Sequence, residues 1–200
     1  MKRQLIVGVA FVCLTAQAMS KEEPSKLGFV GAIGYNVGGE KLVAGQYSDG
    51  STFGVNAGSG VMLSGGATYA LNPQVDLQAT IGYENDSTNA TNGNISFTRM
   101  PLEALAFYNF SDKYRLGVGV RRAGSAKLSG SGVASSLGSY TFTPSTGFVV
   151  EGQYALSPKT TERKWHAAAF VRVVSENYTI GNPSQSFNGS HVGFGVAFYY

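Results

Sequence analysis

Four charged residues in the second half of the chain have the types and spacing to act on one another: Glu103, Arg121, Glu151 and Arg172. Each lies in a stretch that reads as an alternating strand and falls on its inward phase, although Leu105 and Phe107 share the face of Glu103. Their signs run minus, plus, minus, plus, one in each successive stretch. If those stretches are neighbouring strands, the four side chains share one enclosed surface. Three adjacent ion pairs can then form, with strand stagger deciding which. Arg99, Asp76, Glu84, Gln78, Gln153 and His166 can extend the set. Two kinds of chemistry are open to such a row. A wet row is a gated path for ions or protons. A closed row is a plug that fixes register and fills space, since isolated charges in a confined interior are costly.

The elements that must carry these residues read in twos. In Val75-Asp-Leu-Gln-Ala-Thr-Ile-Gly-Tyr-Glu84 every odd position is apolar and every even one is polar or Gly. This is the signature of a strand with one oily and one wet face. Eight such segments are expected, at about 27–37, 54–69, 75–84, 96–108, 115–123, 145–156, 165–177 and 190–200. Most are longer than the ~5–6 residues of common soluble strands and match the ~9–11 of a tilted membrane strand. The links alternate between long and polar (38–53, 85–95, 124–144, 178–189) and short (71–74, 109–114, 157–164). An up-and-down barrel with loops at one end and turns at the other has this rhythm. Eight strands enclose an interior just wide enough for side chains to fill, which favours the plug.

Aromatic residues fall at the expected strand ends. Tyr69, Tyr108, Tyr154, Trp165, Phe198 and Tyr200 mark the turn end as membrane-interface anchors, and Tyr35, Tyr83, Phe97 and Tyr178 lie nearer the loops. Arg122 points away from the interior by alternation and is expected to snorkel near the loop-end interface. The first 18 residues read as a cleaved signal peptide. Lys2 and Arg3 precede the apolar stretch 5–14, and Ala16-Gln-Ala18 is a small-x-small cleavage site. The barrel domain is then 19–200, exported and free of cysteine, because Cys13 is the only one in the chain.

Composition narrows the classes. Only 14% of the 200 residues are charged, against about 25% in typical soluble domains. With 11 Tyr, 12 Phe and 43% hydrophobic residues the chain is too apolar to be disordered. One Cys and two His exclude a disulfide scaffold and a multi-thiolate zinc site. A net charge of +3 is too small for nucleic-acid binding.

The leader, the eight alternating segments and the final Val192-Gly-Phe-Gly-Val-Ala-Phe-Tyr-Tyr200 resemble the small bacterial outer-membrane barrels, porin-like or OmpA/OmpX-type. The stretches Arg99–Tyr108 and Arg115–Arg121 are similar to that group as well. The resemblance implies an all-β, eight-stranded antiparallel transmembrane barrel with periplasmic termini, monomeric, in contact with outer-membrane lipids. It also implies that the aromatic C-terminal strand is read by the outer-membrane assembly machinery; Tyr200 stands where that family usually has Phe. The expected role is structural or surface-interactive, through loops that could meet a host, phage or other extracellular ligand. A small-solute or ion channel is the alternative. An enzyme acting on lipid A is less favoured: the deacylase pattern of Ser two residues after His is absent, since His191 is followed at that spacing by Gly193 and His166 by Ala168. No cofactor, metal or catalytic residue is expected. The Gly/Ser-rich segment 125–139 is expected to be mobile. The sequons at Asn85, Asn89, Asn94, Asn177 and Asn188 read as polar loop composition in a bacterial chain. A soluble lipocalin-like barrel would need the opposite sidedness, oily inside and wet outside.

Overall fold

A computed structural model describes residues 26–47, 49–90, 92–157, 166–181 and 185–200. The expected leader 1–18 and Trp165 lie outside the described residues. The strands in chain order are β1 (Leu27–Gly38), β2 (Lys41–Gln46), β3 (Thr52–Asn56), β4 (Gly60–Asn72), β5 (Val75–Ala90), β6 (Gly93–Asn109), β7 (Tyr114–Gly132), β8 (Ser139–Pro144), β9 (Gly147–Ala155), β10 (His166–Ser175), β11 (Asn177–Ile180), β12 (Gln185–Asn188) and β13 (His191–Tyr199). Eight of them form the wall in the order β1-β4-β5-β6-β7-β9-β10-β13, every neighbour antiparallel. The ring closes where β13 pairs β1, from Gly38↔His191 to Val30↔Tyr199. The fold is therefore a closed, eight-stranded, antiparallel β-barrel, which leaves no sheet edge along its wall.

Alternation decides what faces where. Along β5, Asp76, Gln78, Thr80 and Glu84 are buried while Leu77, Ile81 and Tyr83 are exposed. The same inversion holds around the ring: Phe29, Ile33, Leu63, Leu102, Val118, Val150, Val171 and Phe194 lie outside, and Arg121 is only 1% exposed inside. Large rings fill the interior where facing positions are Gly. A Cβ on Gly117 would come within 2.5 Å of the Phe107 ring, and one on Gly195 within 2.7 Å of Phe170. This large-on-small pairing is how a narrow barrel is packed. Among the described links, those between β4 and β5 and between β6 and β7 are short turns at one end. In the β4–β5 link the Asn72 carboxamide oxygen accepts the Gln74 and Val75 amides at 2.9 Å each, an Asx turn.

The wall departs from the sequence reading at its loop end. Strand β4 begins at Gly60; the segment expected to start it at 54 instead forms the β2–β3 hairpin. Strands β5, β6 and β7 run 16, 17 and 19 residues, so much of 85–95 and 124–132 is paired strand. Segment 125–139 is thus structured over most of its length: Ala126 and Leu128 are buried, and Ala126–Ser129 pair with β8. The cause is a bulge: Gly124 and Ser125 both stand opposite Met100, between Arg99↔Ala126 and Pro101↔Ala123. The extra residue switches the inward phase from odd to even numbers, which erases the alternation that would have marked the strand.

Candidate functional site

The interior is layered from the turn end to the loop end. Nearest the turns, Arg115 on β7 lies between the rings of Phe107 and Tyr199, its guanidinium carbon 4.3 and 4.5 Å from their centroids. It donates to the Gln153 side-chain oxygen at 3.0 Å and pairs with Asp76 at 3.4 Å. The Tyr199 hydroxyl meets Gln153 at 3.0 Å and donates to Gln78 at 3.3 Å, and His166 stacks on its ring at 4.8 Å. Next come Phe107, Leu105, Val149 and Val174, an apolar cluster.

Arg121, at mid-wall on β7, is the hub of the next layer. Its Nη2 lies 3.0 Å from Glu84 Oε2, its Nη1 3.0 Å from Glu103 Oε1, and its Nε 3.1 Å from Glu176 Oε2. Three carboxylates, from β5, β6 and the residue between β10 and β11, thus converge on one guanidinium. Only arginine offers five donors in a fixed planar fork, so lysine could not bridge this set. Arg172 on β10 donates from Nη2 to Glu103 at 2.6 Å and places Nε 3.5 Å from Glu151. Arg99 on β6 lies 3.4 Å from Glu84 and donates to the Ala57 carbonyl at 2.7 Å and the Ser59 carbonyl at 2.5 Å. Glu103 bridges Arg121 and Arg172, and Glu84 bridges Arg121 and Arg99. Among the described residues, four arginines and five carboxylates are joined in these pairs.

Of the neighbour pairs expected from spacing, Glu103–Arg121 and Glu151–Arg172 lie within ion-pair distance. Arg121 and Glu151 do not meet, because stagger carries the long arginine toward Glu84 and Glu176. Arg115, Glu176, His191 and Asn36 belong to the interior and were missed. Glu176 and Arg115 continue the inward phase of Arg172 and Arg121, so alternation could have found them. His191 donates from Nδ1 to the Gly189 carbonyl, 2.8 Å away, and Asn36 is fully buried.

Glu84, Glu176 and His191 bring ligand atoms within 4.8 Å of one another. Both carboxylates are already held by Arg121, and Glu176 also accepts the Tyr178 hydroxyl at 2.7 Å. The guanidiniums of Arg121 and Arg99 supply the positive charge there, so the cluster reads as part of the ion-pair network.

Above the charges the interior turns apolar again. Val55, Ile95, Phe97, Ala126, Leu128, Phe142 and Tyr178 form a buried cluster at the loop end. The Phe97 ring makes edge contacts with Phe142 and Tyr178 at 5.4 and 5.5 Å. The β2–β3 hairpin contributes Val55, fully buried, to this cluster. Tyr178 links the two layers, its ring packed on Phe97 and its hydroxyl bound to Glu176.

On the outside, Tyr69, Tyr108, Tyr154, Phe198 and Tyr200 are exposed at the turn end. Tyr108 contacts Phe110 at 5.0 Å and Tyr154 contacts Tyr114 at 5.1 Å. Toward the loops the outer face becomes polar at one level: Asn85 pairs with Thr98, and Thr98 with Lys127. Arg122, exposed opposite Leu102, lies just on the apolar side of that level.

No protein-family model matches the chain, and no curated protein matches it. Solved structures do. Neisserial surface protein A is 13% identical, over 88% of this chain and 96% of that one, with a TM-score of 0.49. Ail, the attachment invasion locus protein of Yersinia pestis, in complex with the heparin analogue sucrose octasulfate, is 11% identical over 88% and 99%, with a TM-score of 0.47. The outer membrane protein AlkL, in lipid bilayers, is 13% identical over 94% and 96%, with a TM-score of 0.43.

Proposed function

We propose that the chain is an integral outer-membrane barrel whose interior is closed by its own side chains and whose role is structural or surface-interactive through the loop end. One observation carries the reading: the polarity is inside out. Charged groups are buried in the lumen while Phe148, 67% exposed, and more than a dozen other Val, Leu, Ile and Phe side chains clothe the wall. In water such a surface would be a large aggregation liability; against acyl chains it is the surface that is required. A soluble lipocalin-like barrel would have the reverse arrangement.

The level of Asn85, Thr98 and Lys127 is the upper limit of the lipid-facing band in this reading, and the exposed aromatics at the turn end are the lower one. A 17-residue strand such as β6 extends roughly 55 Å at ~3.3 Å per residue, well beyond an apolar band ~25 Å tall even when tilted. The surplus of β5, β6 and β7, with β8, β11 and β12, stands outside the bilayer. The turns and the strand ends near Leu27 and Tyr199 then face the periplasm. Glu103, Arg121, Glu151 and Arg172 act in this reading as the fixed plug. The apolar cluster around Phe97 seals it from above.

The test is a charge placed on the wall. Val118→Arg is expected to lower the stability of the protein folded in lipid vesicles by about 2–4 kcal/mol, as arginine near a bilayer midplane does. Ser87→Arg, on the outer face of β5 above the polar level, is expected to change it by no more than about 0.5 kcal/mol. Equal, small effects at both positions in denaturant titrations would contradict a lipid-facing wall.

A further inference from the structure

The loop end holds a groove that the plug does not use. It lies between the β2–β3 hairpin, the tip of the β5–β6 hairpin and the segment after β7, and its volume is about 700 Å3, within the ~300–1,000 Å3 of small-molecule sites. Its polar lining is amide and hydroxyl: Gln46, Ser51, Thr88, Asn89, Asn92 and Asn94. One carboxylate, Asp49, also lines the groove, and no Lys, Arg or His is among the described residues that do. Tyr47, Phe53, Val133 and Ala134 supply apolar surface, and Ile95 is shared with the buried loop-end cluster; the Tyr47 and Phe53 rings touch at 4.7 Å.

The walls are held in place before any ligand arrives. The Tyr47 hydroxyl, on the hairpin side, meets the Thr88 hydroxyl on β5 at 2.5 Å and donates to the Asn89 carbonyl at 3.2 Å. Asp86 accepts the Asn56 amide at 2.7 Å and ties β3 to β5. Asp49 accepts the Ser51 amide at 2.9 Å and its hydroxyl at 2.6 Å; these bonds hold its carboxyl below the usual range. Asn89 and Asn94 bond to each other across the hairpin tip.

Each carboxamide offers two donors and two acceptor sites, which suits partners that themselves both donate and accept, as sugar hydroxyls do. The half-exposed rings suit the C–H face of a pyranose. With no basic group among its described lining residues, the groove offers no cation there to pair with sulfate or phosphate. We infer that this groove binds a short, uncharged oligosaccharide. The inference deepens the surface-interaction reading and rests on it for the groove's outward orientation.

Isothermal titration of the refolded protein in detergent micelles, with maltotetraose, cellotetraose and chitotetraose, tests the binding. Saturable binding of at least one is expected. Gln46→Ala and Asn92→Ala, at an exposed strand end and a hairpin tip, should each weaken it roughly tenfold, the scale of one ligand hydrogen bond, with unchanged thermal unfolding. Binding of none of the three, binding only of a sulfated heparin tetrasaccharide run beside them, or loss-free binding in both variants would overturn the inference. Orientation is read separately. In Thr52→Cys the new thiol is the only one outside the expected leader, and a membrane-impermeant maleimide should label it on intact cells. Glycan binding in micelles without labelling would sink the topology and leave the site standing; labelling without binding would do the reverse.

Discussion

Arg121→Ala is expected to cost the barrel about 3–5 kcal/mol, the penalty for removing one partner of a buried ionic set. The reason is what stays behind. Glu84, Glu103 and Glu176 all face Arg121 at 3.0–3.1 Å and are buried. Glu103 keeps Arg172 and Glu84 keeps Arg99, but Glu176 is left with the hydroxyl of Tyr178 and with His191, whose Nδ1 lies 3.9 Å away. Arg121→Lys should recover part of the loss, because one ammonium can meet one or two of the three carboxylates but not the planar fork. Urea titrations of protein folded in lipid vesicles would read both values. A loss below about 1 kcal/mol for the alanine variant, typical of a solvent-exposed pair, would mean that water reaches this level of the lumen.

Phe97→Ala is expected to have a comparable effect for a different reason. The ring is fully buried in the loop-end cluster, with edge contacts to Phe142 and Tyr178, and deletion of a buried phenylalanine costs about 3–5 kcal/mol in transfer and cavity terms. The two sites share Tyr178, which packs on Phe97 and donates to Glu176. The double variant Arg121→Ala/Phe97→Ala should therefore depart from additivity, by about 0.5–3 kcal/mol. Strict additivity in the same urea titrations would mean that the charged and apolar layers fail independently.

The eight walls were legible because lipid and lumen impose opposite demands on successive residues. Val75 to Glu84 shows the period with no exception, and its strand begins where the pattern begins. What the pattern could not carry was the part beyond the apolar stretch of the outer face. Beyond Glu84 and before Arg99 the outward residues become Asn, Ser and Thr, so the hydrophobic half of the signal disappears while pairing continues from Asn85↔Thr98 to Ala90↔Gly93. The bulge at Gly124–Ser125 hid the upper part of β7 in the same way, and with it the inward Ala126 and Leu128 of the apolar seal. In the lumen, the identity of the inward charges follows from alternation alone. Their partners do not: a long arginine chooses among carboxylates two or three strands away, and stagger sets that choice. Arg121 therefore joins Glu176 across the interior, at a sequence separation of 55 residues, instead of its expected neighbour Glu151.

Planar-bilayer recording of the refolded wild-type protein is the most direct measurement of a barrel closed by its own side chains. With Arg121, Arg172 and Arg99 tied to carboxylates and the Phe97 cluster above them, no steady conductance is expected at any holding potential that the bilayer tolerates. A stable nanosiemens conductance from the folded wild-type barrel would contradict the closed lumen and favour the gated ion path instead.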